Sequence, residues 1–300
     1  MSTMMQYKAF AAAVLTAVVA LTAAGVARSR LAGPGGGPVP DIYGLLEVRW
    51  DMPPGWQLWP DYRGKLGEPA GDAALRRWMG SVMRPSEPPS PSNKILSAAH
   101  VWIIIRDTPA AAAYLLASET ALGRTEVPQV HGSYSGRAIG DRCFRGGGLS
   151  GPQRGGTLWF TRGRAYYCVS VDGGPGSADG TAIAERLALA LVARYDAAQA
   201  LATAPQASTT LAGRTVTART PRGAPVVPLA MLAGARGVQV ALDIPEGAAT
   251  ITSGGHTLLL HIGRSEAWLD GARLTLPFPA LRDGPGGVWC PVAVLRRLGL

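Results

Sequence analysis

The chain predicts an α+β protein whose sheets are largely antiparallel. Three observations carry this. Ala99–Arg106 holds the unbroken run Val101-Trp102-Ile103-Ile104-Ile105, the signature of a strand buried on both faces. Two Ala-rich stretches, 109–122 and 178–202, carry helical spacing, and β-runs at 157–161 and 165–171 flank a glycine. A strand–Pro–helix pattern then occurs twice near the C-terminus. The predicted order runs strand, helix, strand, helix, strands in a hairpin, helix, which favours an antiparallel α+β layer over a parallel one.

Element by element, residues 41–50 read as a first strand, Met52-Pro53-Pro54-Gly55-Trp56 as a turn and 57–59 as extended chain. Residues 73–82 read as a short helix, and the Pro/Ser-rich stretch 84–92 as an exposed loop. Pro109 suits a first helical turn, where its missing N–H is no loss, and Gly123 closes that helix. Residues 127–133 read as a strand and 146–156 as a glycine-rich loop. Arg162-Gly163-Arg164 makes a tight hairpin turn. In the long helix, Ile183, Leu187, Leu191 and Tyr195 form one apolar stripe at steps of four. Residues 203–213 read as a polar linker between a domain at 41–202 and a smaller α+β domain at 214–300.

That smaller domain is built on repetition. Ala224-Pro225-Val226-Val227-Pro228-Leu229-Ala230-Met231-Leu232-Ala233 returns as Gly287-Val288-Trp289-Cys290-Pro291-Val292-Ala293-Val294-Leu295-Arg296. Each copy is an extended apolar run into a proline, then a short helix, Leu229/Leu232 in one and Val292/Leu295 in the other. The copies close at Gly237 and Gly299, residues able to take the left-handed conformation that ends a helix. The two halves are predicted to be pseudo-equivalent. With Pro228, Leu232, Gly263, Asp270, Gly271, Pro291, Leu295 and Gly299 as its defining positions, residues 215–300 resemble the copper amine oxidase N-terminal-like, or stalk, domain. The resemblance implies a structural or adhesive extracellular module, remote from any copper. Residues 41–202 show no comparable family signature.

Copper chemistry itself finds no footing. The single asparagine, Asn93, precedes Lys94 rather than the tyrosine an amine oxidase needs. The histidines are His100, His131, His256 and His261, and the last pair falls on opposite faces of an alternating strand. No catalytic, cofactor or metal-ligating residue is assigned. Val171–Gly180 lies where a dinucleotide loop would, but Asp179 takes the place of its last glycine, so a glycine turn with Asp179 as helix cap is expected. His131-Gly132-Ser133-Tyr134-Ser135-Gly136 places Tyr134 where a nucleophile elbow needs serine. Asp141-Arg142 reads as a turn-capping ion pair, and Trp50, Trp56, Trp59 and Trp78 as packing aromatics.

With 300 residues, 39 glycines, 24 prolines and 47% hydrophobic residues, the chain has mass for real cores between abundant loops. The apolar run 9–27 after Lys8 reads as an export segment, either a cleaved signal peptide or an uncleaved anchor, and 28–40 as a Gly/Pro tether. Export permits disulfides, and Cys143 with Cys168 is the candidate pair, leaving Cys290 as a buried small hydrophobe. The net charge of +9 is dispersed, with no basic run or stacking platform for nucleic acid. It suits an acidic cell-wall or envelope polymer, with membrane contact only through an uncleaved N-terminal segment. The expected function is a non-catalytic envelope protein, extracellular, periplasmic or at the cell surface, in which the stalk-like part positions or attaches the rest. An exported hydrolase with its site in 41–202, or a small-ligand receptor, are the alternatives.

Overall fold

The computed structural model describes residues 45, 48–52, 54, 56–58, 65–67, 75–85, 99–121, 138–148, 151–172, 180–243, 246–283 and 287–300. The export segment, the tether, the strand expected at 127–133 and the cap at Asp179 lie outside them.

The N-terminal half is one antiparallel sheet held between two helices. Its strands are β1 (Trp56–Leu58), β2 (Lys65–Gly67), β3 (Leu75–Pro85), β4 (Ala99–Arg106), β5 (Arg142–Gly148), β6 (Gly151–Arg162) and β7 (Ala165–Asp172). They lie in the order β1-β3-β4-β7-β6-β5, with β2 also on β3. Helix α1 (Pro109–Ala121) follows β4, and α2 (Gly180–Ala202) follows β7. Thr108 starts α1, its Oγ1 accepting the Ala111 N–H at 3.1 Å.

The two helices explain the unbroken apolar run in β4. Val101, Ile103 and Ile105 join Leu158, Phe160, Tyr167, Val169, Ile183, Leu187 and Leu191 in a core under α2. Ile104 faces the other way, with Trp159, Tyr166 and Cys168, under Leu115 and Leu116 of α1. Neighbouring side chains of a strand point to opposite faces, so a strand covered twice has no polar side.

Three elements depart from expectation. Where a short helix is expected over 73–82, residues 75–85 form β3, paired from Leu75↔Arg106 to Met83↔Ala99. Cross-strand pairing overrides a short run of helical spacing. The glycine-rich loop is instead the paired ends of β5 and β6, in register at Gly146↔Thr157 and Gly147↔Gly156. In place of the strand expected at 41–50, Leu45 is helical and Arg49–Asp51 form a 3-10 turn.

The C-terminal half stacks two five-stranded sheets. It adds β8 (Gln206–Leu211), β9 (Arg214–Arg219), β10 (Val226–Pro228), β11 (Val238–Asp243), β12 (Ala248–Ser253), β13 (His256–His261), β14 (Glu266–Leu269), β15 (Ala272–Thr275), β16 (Leu281–Asp283) and β17 (Gly287–Pro291), ending in helix α3 (Val292–Arg297). One sheet runs β16-β17-β10-β9-β8 and the other is the meander β11 to β15. Leu211, Val216, Val227, Val288 and Cys290 of the first meet Ala249, Ile251, Leu258, Leu260 and Ala267 of the second in one core.

Most of the stretch expected as a linker is therefore β8, paired with β9 from Gln206↔Arg219 to Leu211↔Arg214. Its exposed Gln206, Ser208 and Thr210 face solvent, which gave the sequence a linker's polarity. Only residues 203–205 separate α2 from the new sheet.

The repeated segments pair with each other. β10 and β17 run antiparallel with Val226↔Pro291, Val227↔Cys290 and Pro228↔Trp289. Val227 and Cys290 are equivalent in the repeat and also direct partners, so a local two-fold axis passes between them. Both prolines are extended, at φ −69° and −60°, and close their strands rather than opening the first helical turn. The helices that follow differ: a 3-10 turn at Leu229–Leu232, and α3 after Pro291. Leu232 and Leu295 are buried at matching places. Asp270 and Gly271, both at positive φ, form the two-residue turn between β14 and β15 that twisted hairpins favour, and Gly299 at φ 77° follows α3.

Candidate functional site

Among the described residues, a cluster of polar and aromatic side chains lies where the two halves meet. Residues 48–52 act as a strap there. Val48 and Met52 anchor it in the N-terminal core with Leu45. Between them the 3-10 turn is closed by Asp51 N–H to Val48 O at 3.0 Å and Met52 N–H to Arg49 O at 3.3 Å. The tight turn sends Arg49, Trp50 and Asp51 to separate sets of partners.

Trp50 crosses to the second meander sheet. Its ring lies flat on His261, centroids 3.5 Å apart and planes within 4°. The indole N–H donates to Gly247 O at 2.9 Å. His261 leans on Trp268 at 4.3 Å and 45°. Arg49 pairs with Glu246, and its guanidinium lies 5.7 Å over the Trp50 ring.

Asp51 joins the halves electrostatically. Its side chain is 3% exposed, and it receives Arg194 of α2 on one oxygen and Arg264 Nη1 on the other at 2.6 Å. Arg264 continues to Glu266 at 3.1 Å, and Glu266 also binds Arg273. Charges thus alternate along Arg194, Asp51, Arg264, Glu266 and Arg273. The two arginines beside Glu266, Arg273 first, hold its carboxyl below the usual range. Arg194 is 2% exposed and packs against Gly263 so closely that a Cβ there would strike the guanidinium. Gly263 sits at φ 82°, a second reason for glycine.

Helix α2 completes the joint. Ala197 and Leu201 pack with Val226, Phe278 and Leu281 of the C-terminal half. Arg219 donates to Leu201 O at 3.3 Å and lies 5.1 Å over Trp289.

The other sequence-predicted sites fall elsewhere. Cys143 lies in the core under α2 and Cys168 in the core under α1, so the sheet stands between them and no bridge joins the expected pair. Burial pushes the Cys143 thiol up to about 12 and raises Cys290 as well, so both are inert thiols. Asp141 pairs with Arg162 at 2.9 Å rather than with its neighbour Arg142, and caps the hairpin turn by accepting the Gly163 N–H at 2.6 Å. His256, exposed, meets Asp270 at 2.7 Å, far in character from the stacked His261. His100 stands opposite Ser170 across β4 and β7. That serine is 1% exposed, with its hydroxyl 2.8 Å from Thr157 Oγ1, so it is shielded from substrate. His131, Ser133 and Ser135 lie outside the described residues, as do the side chains of Trp56, Trp59 and Trp78. Among the described residues, no group of three His, Cys, Asp or Glu is arranged to hold a metal, and no helix is long and apolar enough to cross a membrane.

No family model matches the chain, and no curated protein or solved structure matches it.

The joint escaped the sequence reading, although one signal was present. Arg194 stands one place from the Leu191/Tyr195 stripe, but Arg186 stands beside Leu187 in the same way and is exposed, so that position does not tell a buried charge from a solvated one. Gly263, already marked as a defining position, is the surface against which that arginine packs.

Proposed function

We propose that the protein is an exported, non-catalytic component of the cell envelope, in which residues 206–300 form a stalk-like module that positions or attaches the α+β layer before it. The observation that carries this reading is the joint: Asp51 between Arg194 and Arg264, with Trp50 on His261, locks the two halves in one orientation. A positioning scaffold needs a fixed relation between its parts, whereas domains joined only by a tether move by default. The stalk-domain resemblance of residues 215–300, the apolar run 9–27 and the dispersed charge of +9 support the envelope and an acidic polymer as its setting.

Cell fractionation with N-terminal sequencing tests it. The expected product is found in envelope or medium, beginning after the small residues at 23–27, or retained at the membrane with its start intact. Full-length protein confined to the cytosol would overturn export. Purified cell wall is expected to retain the protein, and recovery of all of it unbound would overturn attachment.

A further inference from the structure

We propose that His261 makes the joint acid-sensitive: the strap at residues 48–52 holds the C-terminal half while the imidazole is neutral, and loosens when it takes up a proton.

The geometry places the imidazole where a charge is hard to accommodate. One face is covered by Trp50 at 3.5 Å and a second contact comes from Trp268 at 4.3 Å, so much of its hydration is removed. The charged groups of the joint come from every element packed there, and Arg264 and Glu266 act directly on the ring. The strap brings Arg49 and Asp51. The turn after β13 brings Arg264, and α2 brings Arg194. β14 and β15 bring Glu266 and Arg273, and the turn before β12 brings Glu246. Each of these three carboxylates already serves an arginine: Asp51 takes Arg194 and Arg264, Glu266 takes Arg264 and Arg273, and Glu246 takes Arg49. A new imidazolium would enter a set whose anions are engaged. Its favourable neighbours are Glu266, which already serves two arginines, and the indoles of Trp268 and Trp50; Arg49 lies over the Trp50 ring, so there two cations would share one quadrupole.

Burial first, then Arg264, lowers the His261 pKa below its ordinary value of 6.5, with Glu266 opposing. The linkage follows from that direction. The docked state binds the proton less readily than the open state, so docking is fully favoured above the open-state pKa. It weakens as pH falls through that value and levels off below the docked one.

The inference rests on the joint alone and stands whether or not the protein is exported. The experiment uses the full chain. Hydrogen exchange of residues 48–52, corrected for intrinsic rates, is followed from about pH 7 to about pH 5, the range of an unperturbed histidine. The same range is covered with His261→Phe, which keeps a flat ring in the stack but cannot titrate. The wild type is expected to open several-fold more at the lower pH, and the variant not to change. Equal behaviour of the two, or no opening in the wild type, overturns the proposal. The NMR titration of the His261 ring in the wild type decides independently of how the variant folds. A value below 6.5 supports the acid release, and a value at or above it shows that the indoles stabilise the cation.

Discussion

Burying a guanidinium is expensive unless a carboxylate meets it, and Arg194, 2% exposed, meets Asp51. Its Nε and Nη1 find no hydrogen-bond partner among the described residues, so Asp51 supplies most of the compensation. Removing that carboxylate strands the charge. Asp51→Asn is expected to lower unfolding free energy by about 3–5 kcal/mol in urea titration. Replacing Asp51 by Leu and Arg194 by Met together should cost much less than the sum of the single changes, because no buried charge is then left alone. Gly263 gives a second residue-scale prediction. An alanine there meets both a positive φ and the Arg194 side chain, and each strain of that kind costs roughly 1–3 kcal/mol. A fall in midpoint without a change in slope would mark this as lost native stability. Unchanged stability would mean both that Arg194 moves away freely and that the backbone at 263 relaxes from its positive φ.

At the scale of elements, what was legible in the sequence is what local pattern alone decides. β4, α1, the β6–β7 hairpin and α2 all follow from apolar spacing with a turn or cap residue at the boundary. β3 and β8 did not follow, for opposite reasons. β3 has apolar residues at helical spacing, and its pairing with β4 on one side and β1 and β2 on the other makes it a strand. β8 is a hydroxyl-rich strand with little apolar signal beyond Leu211, and its partner β9 defines it. Long-range pairing is absent from any short window, as is the meeting of Asp51 with Arg264, which joins distant parts of the chain. The repeat was legible because both copies share one environment. That equivalence makes a prediction at this scale. Val227 and Cys290 face each other across the local two-fold axis, both fully buried. Cys290→Val should therefore restore the symmetric pair and change stability by less than about 1.5 kcal/mol, the range of volume-conserving core swaps. A loss well beyond that in thermal unfolding would show that the axis is only approximate at its centre.

The whole molecule depends on α2 serving two cores. The helix is about 34 Å long at 1.5 Å per residue over its 23 residues. Its first half, through Ile183, Leu187 and Leu191, completes the core under the N-terminal sheet. Its second half, through Ala197 and Leu201, packs with Val226, Phe278 and Leu281. The strap repeats this bridging from the other end of the N-terminal half, with Val48 and Met52 in one core and Trp50 on the other sheet. Unfolding either half would bare apolar surface on α2 and strand the Arg194 charge, so the halves should not melt apart. Calorimetry is expected to show a single transition whose calorimetric and van't Hoff enthalpies agree, despite a length at which separate domains are common. Asp51→Asn is expected to lower the midpoint yet keep that agreement, because α2 still belongs to both cores. Two resolved transitions in the unaltered protein would show that the junction is a contact between independent units, and the fixed geometry on which a positioning role depends would fall with it.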